Sequence, residues 1–325
     1  MTTVAVVVST YNGAAYLGEQ LASILAQSRQ PDLIIVTDDE SSDDTVAIAR
    51  AALAGFDGDT LITTNPGARG VVPNFSHGLA AAVDAGADLI ALSDQDDIWR
   101  PDKLRELIAV FEDRPGLQLL HSDARLVDAQ GAAIGGTLLE SISMSPRMRR
   151  LEHDGRGFSV LLRRNTVTGA TSVVRRGLVQ TALPVPPGWV HDEWLAIVAA
   201  ATGRFDLVEL PLVDYRQHGA NEIGAALLGV GGKARRMAAP RAERNARLLT
   251  RAEQLPARLE ALGSAVDPAL TAAARAKLAH EQRRSALPAG RLGRIPGVFG
   301  GLLRGDYRRF GRGVLDAVRD LVQPA

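Results

Sequence analysis

The sequence predicts an α/β fold: a mostly parallel central sheet with helices on both faces, followed by a helical C-terminal region. Three observations predict it. Strand-like and helical patterns alternate four times over residues 4–93, the arrangement that builds parallel sheets with covered faces. Polar clusters stand directly after the first, second and fourth strand patterns, where α/β sheets bind ligands. Beyond Gly224 the texture changes to Ala, Arg and Leu.

Residues 4–8 are a short β-branched run, suited to a strand buried on both faces. Ser9-Thr10-Tyr11-Asn12-Gly13 follows as a loop, and 15–27 has helical spacing at Leu17, Leu21, Ile24 and Leu25. Residues 33–37 predict the second strand and 38–44 its acidic loop. The helix at 45–53 starts beside carboxylates, which suits its positive end. A strand at 60–64, a turn at Asn65-Pro66-Gly67, a helix at 74–85 and a strand at 89–93 complete the alternation. A helix at 101–113 has Pro101 in its first turn.

Residues 117–121 and 126–128 read as two strands. Periodicity fades over 135–154, and 144–150 reads as flexible and lid-like. A strand is predicted at 171–174 and a helix from His191 to Ala201 after a Pro-rich loop. Residues 205–210 and 212–216 predict a strand pair broken at Pro211. Residues 233–262 and 269–286 predict helices, with a basic linker at 288–296. The implied division is a catalytic domain at 1–224 and a basic helical region at 225–325.

Of the 325 residues, 46% are hydrophobic but only 4% aromatic, so the core must be aliphatic. With no cysteine, disulfides, thiolate catalysis and cysteine-based zinc sites are excluded. Residues 1–8 lack the basic region and cleavage pattern of a secretory leader. No stretch approaches the ~20 apolar residues of a membrane span. A cytoplasmic location, peripheral to the inner face of the membrane, is the expectation. The net charge of zero hides an asymmetry: residues 227–325 hold 19 basic and 8 acidic side chains. The front of the chain is correspondingly acidic.

The acidity concentrates in Ser93-Asp94-Gln95-Asp96-Asp97-Ile98-Trp99. Three carboxylates in four residues repel one another unless a cation sits among them. Oxygen ligands suit Mg²⁺ or Mn²⁺, which bridge carboxylates and phosphates. An acidic turn capping the next helix would have the same composition. In the loop at 38–44, Asp39 is the ligand candidate, since a carboxylate after a strand can accept from a base or ribose. Asp43 and Asp44 read as helix-capping residues. Tyr11 offers a ring that can stack on a base, or simply lies half-buried in its loop.

Together VSTYNG at 8–13, TDDESSDDT at 37–45 and SDQDDIW at 93–99 resemble the GT-A glycosyltransferases, particularly family 2. The resemblance covers about residues 1–222. It implies a Rossmann-like GT-A fold, a nucleotide-sugar donor and inversion at the anomeric carbon. It implies that Thr10, Tyr11 and Asp39 contact base and ribose, that Asp94 lies near ribose and metal, and that Asp96 is a direct metal ligand. Asp97 ranks behind Asp96. Asn65 through Gly70, with Asn74-Phe75, resembles the donor-side loop, and Gly169-Ala170-Thr171 the small-residue loop under the donor sugar. His191-Asp192 resembles the segment that carries the catalytic base, with His where the family usually has Glu; Asp192 is the implied base. By residue type alone Asp192 would be a helix N-cap. Tyr215-Arg216-Gln217-His218-Gly219 implies that His218 approaches the metal or the diphosphate. The later HDEW and YRQHG look most like bacterial rhamnosyltransferases of surface-polysaccharide assembly. They imply dTDP-L-rhamnose as donor and a saccharide or lipid-linked acceptor.

Trp99 and Trp194 are expected to pack beside the site; His121 and Asp123, at a strand end, are weighed as cleft-lining residues without an assigned role. In the basic region, Arg235, Arg236, Arg241, Arg244, Arg247 and Arg251 recur along one helix. Arg304, Arg308, Arg309 and Arg312 flank Leu302, Leu303, Tyr307 and Phe310, the character of an interfacial helix meeting anionic lipid. Solvated helices packed on the acidic body would also fit. Nucleic acid is not expected as a partner, because aromatics are few and no reader motif is present. Two other chemistries share an acidic strand end. A metal-dependent phosphatase would carry its nucleophilic aspartate on the first strand, whereas three strands precede the one that leads into Asp94. A nucleotidyltransferase acting on a sugar phosphate would want a basic residue in the loop at 9–13.

Overall fold

The computed structural model describes residues 2–218 and 240–324. The domain boundary at 224/225, the start of the helix expected from 233, and Arg235, Arg236 and Gly219 lie outside the described residues.

The first four strands are β1 (Val4–Thr10), β2 (Leu33–Asp38), β3 (Asp59–Thr64) and β4 (Leu89–Asp94). They pair in parallel in the order β3-β2-β1-β4. The β-branched alternation of β1 and β2 explains the layering. Val4, Val6, Val8, Ile34 and Val36 face one core, while Ala5, Val7 and Ile35 face the other. Each such Val or Ile contributes about 1.5–3 kcal/mol over an exposed one. Helices α1 (Leu17–Leu25), α2 (Thr45–Leu53), α3 (Val71–Asp84) and α4 (Lys103–Asp113) cover the two faces.

The remaining strands are β5 (Ile98–Trp99), β6 (Leu117–Val127), β7 (Ala133–Thr137), β8 (Ser172–Arg175) and β9 (Arg204–Arg216). The sheet continues β4-β8-β6-β9-β5, with β7 on β6. β8 runs antiparallel to both β4 and β6.

Chain order reverses at β1: β2 and β3 lie to one side and β4 to the other. Such a switch point opens a crevice at the carboxyl ends of the strands. The register places Thr10 opposite Asp38 and Ser9 opposite Asp94, so three polar clusters meet there. Gly78 lets α3 press onto the sheet: a Cβ there would stand 2.5 Å from Val7 Cγ1 and 2.8 Å from Thr37 Cγ2. That close approach brings Asn74 to the strand ends. Its Nδ2 donates to Ser9 Oγ at 2.9 Å, Thr10 O at 3.1 Å and Thr37 O at 2.9 Å, clasping β1 to β2.

Several expectations are corrected. The two strands predicted at 117–128 are one, β6, and Pro211 does not break β9; register shifts beside it absorb the missing donor. Pro101 precedes α4, whose first residue is Lys103. The stretch at 144–150 is no lid. Helix Pro146–His153 starts there with Ser145 Oγ accepting from Met148 N, and Met144 and Met148 pack with Leu139, Val160 and Leu207. The predicted linker at 288–296 is largely helix, Arg291–Leu303, with Pro296 inside it. C-terminal helices also occupy Arg241–Ala261, Pro268–Ser285, Asp306–Phe310 and Val314–Val322. No helix among the described residues is long and apolar enough to cross a membrane.

Candidate active site

A cavity of about 960 Å³ opens at the switch point. Thr10, Tyr11, Asp39, Asp94, Asp96, Asp192 and His218 all line it. Asp39 and Asp96, 57 residues apart in sequence, therefore face one space.

On the β1–β2 side, Asp39 is buried, yet both its oxygens are held. Oδ1 accepts from Asn65 Nδ2 at 3.0 Å and Oδ2 from Gly70 N at 2.7 Å. The Asn65–Gly70 loop therefore fixes this carboxylate. Tyr11 is 47% exposed. Gln95 clamps its backbone, accepting from Tyr11 N at 2.8 Å and donating to Tyr11 O at 3.1 Å. The Tyr11 ring is thus presented on a fixed backbone beside Asp39. Thr10 lines the cavity, and its buried hydroxyl donates to Asp38 Oδ1 at 2.7 Å. Asp43 is structural as expected, accepting from Ala14 N at 3.1 Å and Thr45 N at 3.1 Å.

At the end of β4, Asp94, Asp96 and Asp97 each offer an oxygen, all within 4.8 Å of one another. Asp96 Oδ2 lies 2.8 Å from His218 Nε2, and the His218 ring stacks on Tyr16 at 4.8 Å. Asp97 Oδ1 accepts from Arg216 N at 3.0 Å, while the buried Oδ2 has no hydrogen-bond partner among the described residues. Burial, then Asp96 and Asp192, push Asp94 up to about 7. Burial, then Asp96 and Asp94, push Asp97 well above the usual carboxylate range. Crowded buried carboxylates with an orphan oxygen fit a hard divalent cation, whose charge would offset this repulsion. Asp97, ranked second from sequence, joins the cluster fully.

Two cations escaped the sequence reading. Lys103 is fully buried, donates to Ala170 O at 2.7 Å and lies 3.5 Å from the Trp99 ring centroid. Burial pushes its ammonium well below the ordinary range, while Asp97 and Asp94 pull it back up. A lysine at the first position of a helix opposes the helix dipole, and that anomaly was the available signal. Arg216 is buried too; Nε donates to Asp96 O at 2.7 Å and Nη1 to Ala129 O at 2.7 Å, bracing the acidic loop.

Across the cavity, Asp192 lies in the first turn of helix His191–Thr202. Its Oδ2 accepts from Gly169 N at 3.0 Å and Oδ1 from Glu193 N at 2.5 Å. Burial pushes the group up to about 7, Glu193 adds to this, and the two N–H donors and Arg251 oppose it. A fixed carboxylate titrating near neutrality can accept a proton from a hydroxyl. The preceding His191 is buried, stacks on Phe75 at 4.0 Å, and neither ring nitrogen has a hydrogen-bond partner among the described residues. Burial lowers it to about 3, so the imidazole is neutral. Gly169 leaves room for that ring: a Cβ there would stand 2.8 Å from His191 Nε2.

Trp99 and Trp194 are buried packing residues as expected. His121 and Asp123 do not reach the cavity. His121 Nε2 lies 3.1 Å from Glu152 Oε2, and Asp123 Oδ1 accepts from Ala124 N and Leu139 N.

The topology and the strand-end crevice define a GT-A-like protein. Residues 5–160 match the model of glycosyl transferase family 2, so the chain carries a family 2 glycosyltransferase domain. It is 25% identical over 228 residues to an uncharacterised glycosyltransferase, alr2836, of Nostoc sp., covering 67% of this chain and 66% of that one. It is 36% identical over 104 residues to the dTDP-rhamnosyl transferase RfbG of Shigella flexneri, covering 31% of this chain and 35% of that one. The chain thus spans between about a third and two thirds of these relatives' lengths. A crystal structure of S. aureus TarS 1–349 in complex with UDP-GlcNAc shares the fold, with TM-score 0.58 and 14% identity over 93% of this chain and 81% of that one.

Proposed function

We propose that the protein is an inverting, metal-dependent glycosyltransferase that moves L-rhamnose from dTDP-L-rhamnose onto a saccharide or lipid-linked acceptor. The observation that carries the reading is the convergence of Tyr11, Asp39, Asp94, Asp96 and Asp192 on one cavity. The short match to a dTDP-rhamnosyl transferase supports the choice of sugar.

Tyr11 stacks on the base while Asp39, held by Asn65 and Gly70, accepts from base or ribose. Thr10 acts through Asp38, whose carboxylate it helps fix. Asp94, Asp96 and His218, joined by Asp97, would hold Mg²⁺ or Mn²⁺. Held there, such an ion would supply Lewis-acid stabilisation of the departing nucleoside diphosphate. Asp192 takes the proton of the acceptor hydroxyl as its oxygen bonds the anomeric carbon. The bond to the diphosphate breaks on the opposite side, inverting the configuration. Gly169 N–H and Glu193 N–H keep Asp192 aimed, which is catalysis by positioning.

A donor panel of dTDP-L-rhamnose, UDP-GlcNAc, UDP-glucose and GDP-mannose, each with Mg²⁺ or Mn²⁺, tests this by thermal unfolding. At a hundredfold excess over Kd, the correct donor stabilises by about 2.7 kcal/mol. Only dTDP-L-rhamnose with metal should raise the midpoint by several degrees. A UDP-sugar giving the larger shift would overturn the assignment of the sugar, and no shift with any donor would overturn the function.

The described part of the basic region supports peripheral membrane contact, through residues other than some of those expected. Tyr307 and Phe310 are buried and face inward, beside His280. The outward apolar face comes instead from Leu292 (82% exposed), Ile295, Phe299 and Leu303 on one helix and Val314 and Val318 on another. Exposed Arg304, Arg308, Arg309 and Arg312 lie in the connecting segment. Apolar faces beside arginines suit an anionic bilayer surface. Phe299→Asp with Leu303→Asp should abolish co-sedimentation with phosphatidylglycerol vesicles while leaving the thermal midpoint unchanged. Equal sedimentation of variant and wild type would refute the contact.

A further inference from the structure

A second cavity, of about 660 Å³, separates helix His191–Thr202 from the C-terminal helices. Its walls carry eight arginine and lysine side chains against two carboxylates, Glu193 and Asp316. Four of these cations are paired internally: Arg251 with Glu193, Arg244 with Asp320, Lys277 with Glu281 and Arg319 with Asp316. The other four have no ion pair among the described residues. Arg247 and Arg312 are exposed, and their guanidinium groups have no ion pair among the described residues. Arg164 Nε, Arg244 Nη1 and Arg319 Nε are buried with no hydrogen-bond partner among the described residues. Burial lowers Arg164, and the nearby Arg312 and Arg163 lower it further. The fold thus gathers cations whose mutual repulsion an anion would relieve.

The two cavities adjoin. Asn165 lines both. Where the loop enters the helix, Val190, His191 and Asp192 line the first cavity, and Trp189 and Glu193 on either side of them line the second. One turn of helix therefore divides the candidate base from the arginine cluster.

We propose that this second cavity binds the phosphate groups of the acceptor substrate, as a diphosphate or phosphodiester next to the sugar that receives the transfer. This rests on the reading that the acceptor hydroxyl meets Asp192. Arginine forks match phosphate oxygens bidentately, and an unpaired cluster of them selects phosphate over a neutral glycan. A stacked nucleobase does not fit, because Trp189 is already covered by the Arg251 guanidinium at 4.5 Å from its ring centroid. An acceptor anchored at its phosphates would present its terminal sugar across Asn165 towards Asp192.

The test is calorimetric titration of the full chain with inorganic pyrophosphate in EDTA, which keeps the acidic cluster metal-free. Wild type should bind with Kd below about 1 mM. Arg247→Ala with Arg312→Ala should weaken binding at least about tenfold, and the corresponding double lysine variant should retain most of it. Both residues are exposed, so folding is preserved, and the thermal midpoint checks it. Asp96→Ala should keep the pyrophosphate affinity. Undiminished binding in the double alanine variant, or tighter binding in Asp96→Ala, where a repelling carboxylate is gone, would place the anion outside the second cavity and overturn the proposal. Absence of binding to wild type would do the same. Donor hydrolysis, measured separately, reports on the transferase reading alone. Farnesyl diphosphate binding more tightly than pyrophosphate would support the site and identify a lipid carrier. Equal binding would support it with a phosphate of the glycan itself.

Discussion

Asp192→Asn is expected to bind the nucleotide-sugar with metal as wild type does, yet transfer about 10²–10⁴-fold more slowly, the usual contribution of a positioned general base. The substitution keeps the shape of the side chain and removes its basicity. An amide oxygen can still accept from Gly169 N or Glu193 N, the two donors that hold the carboxylate. The donor residues Tyr11 and Asp39 belong to β1 and β2 loops and are untouched. A purely structural Asp192 would behave differently: the variant would lose stability and donor binding together, and residual turnover would track the folded fraction. Normal turnover would remove Asp192 from the role of base.

The pH profile makes the same prediction more stringent. Burial and Glu193 push Asp192 up to about 7. Only the ionised carboxylate takes a proton, so wild-type kcat/KM should rise with pH through about 7 and then level. The residual rate of Asp192→Asn should show no such rise. Linkage gives the sign for stability. A carboxyl raised on folding adds stability at low pH and loses it as pH climbs through the folded value. The neutral Asn should therefore unfold no more easily than wild type above pH 8.

The parts of this site that were legible in the sequence follow from local physics. β-Branched runs announced β1 and β2 and a short aliphatic run β4, and each ended in a polar cluster that water or a ligand must satisfy. The alternation of strand and helix, with the strands pairing in parallel, then brought those ends together. What was hidden depends on pairing between distant segments. β6 and β9 read as broken strands because Pro211 and the short runs obscured a ladder that only their mutual pairing defines. The helix Pro146–His153 carries few apolar residues, so its pattern vanished; Met148 buries it against residues as distant as Leu207. Tyr307 and Phe310 looked lipid-facing because composition cannot say which face of a five-residue helix turns inward. Lys103 and Arg216 are basic residues whose importance lies in what they brace, 67 and 120 residues away.

Asp96→Ala should abolish the rise in thermal midpoint that donor and metal together produce, and should do so without weakening the metal-free protein at pH 8.5. Two effects compete in the absence of metal. Removing Asp96 costs the hydrogen bond to His218, about 1–2 kcal/mol. It also removes repulsion with Asp94 and Asp97, whose oxygens lie within 4.8 Å. At an effective dielectric of about 20 each ionised pair costs roughly 3–4 kcal/mol at such a distance. Repulsion wins wherever the neighbours are ionised. Asp94 is pushed up to about 7, so the gain should appear above that pH and fade below it. Calorimetry with and without Mn²⁺ at pH 8.5 and pH 5.5 separates the alternatives. A helix-capping turn would be destabilised by the substitution at both pH values and indifferent to Mn²⁺. A cation site gives the opposite pattern, because the carboxylates that strain the empty cluster are the ones a divalent ion needs.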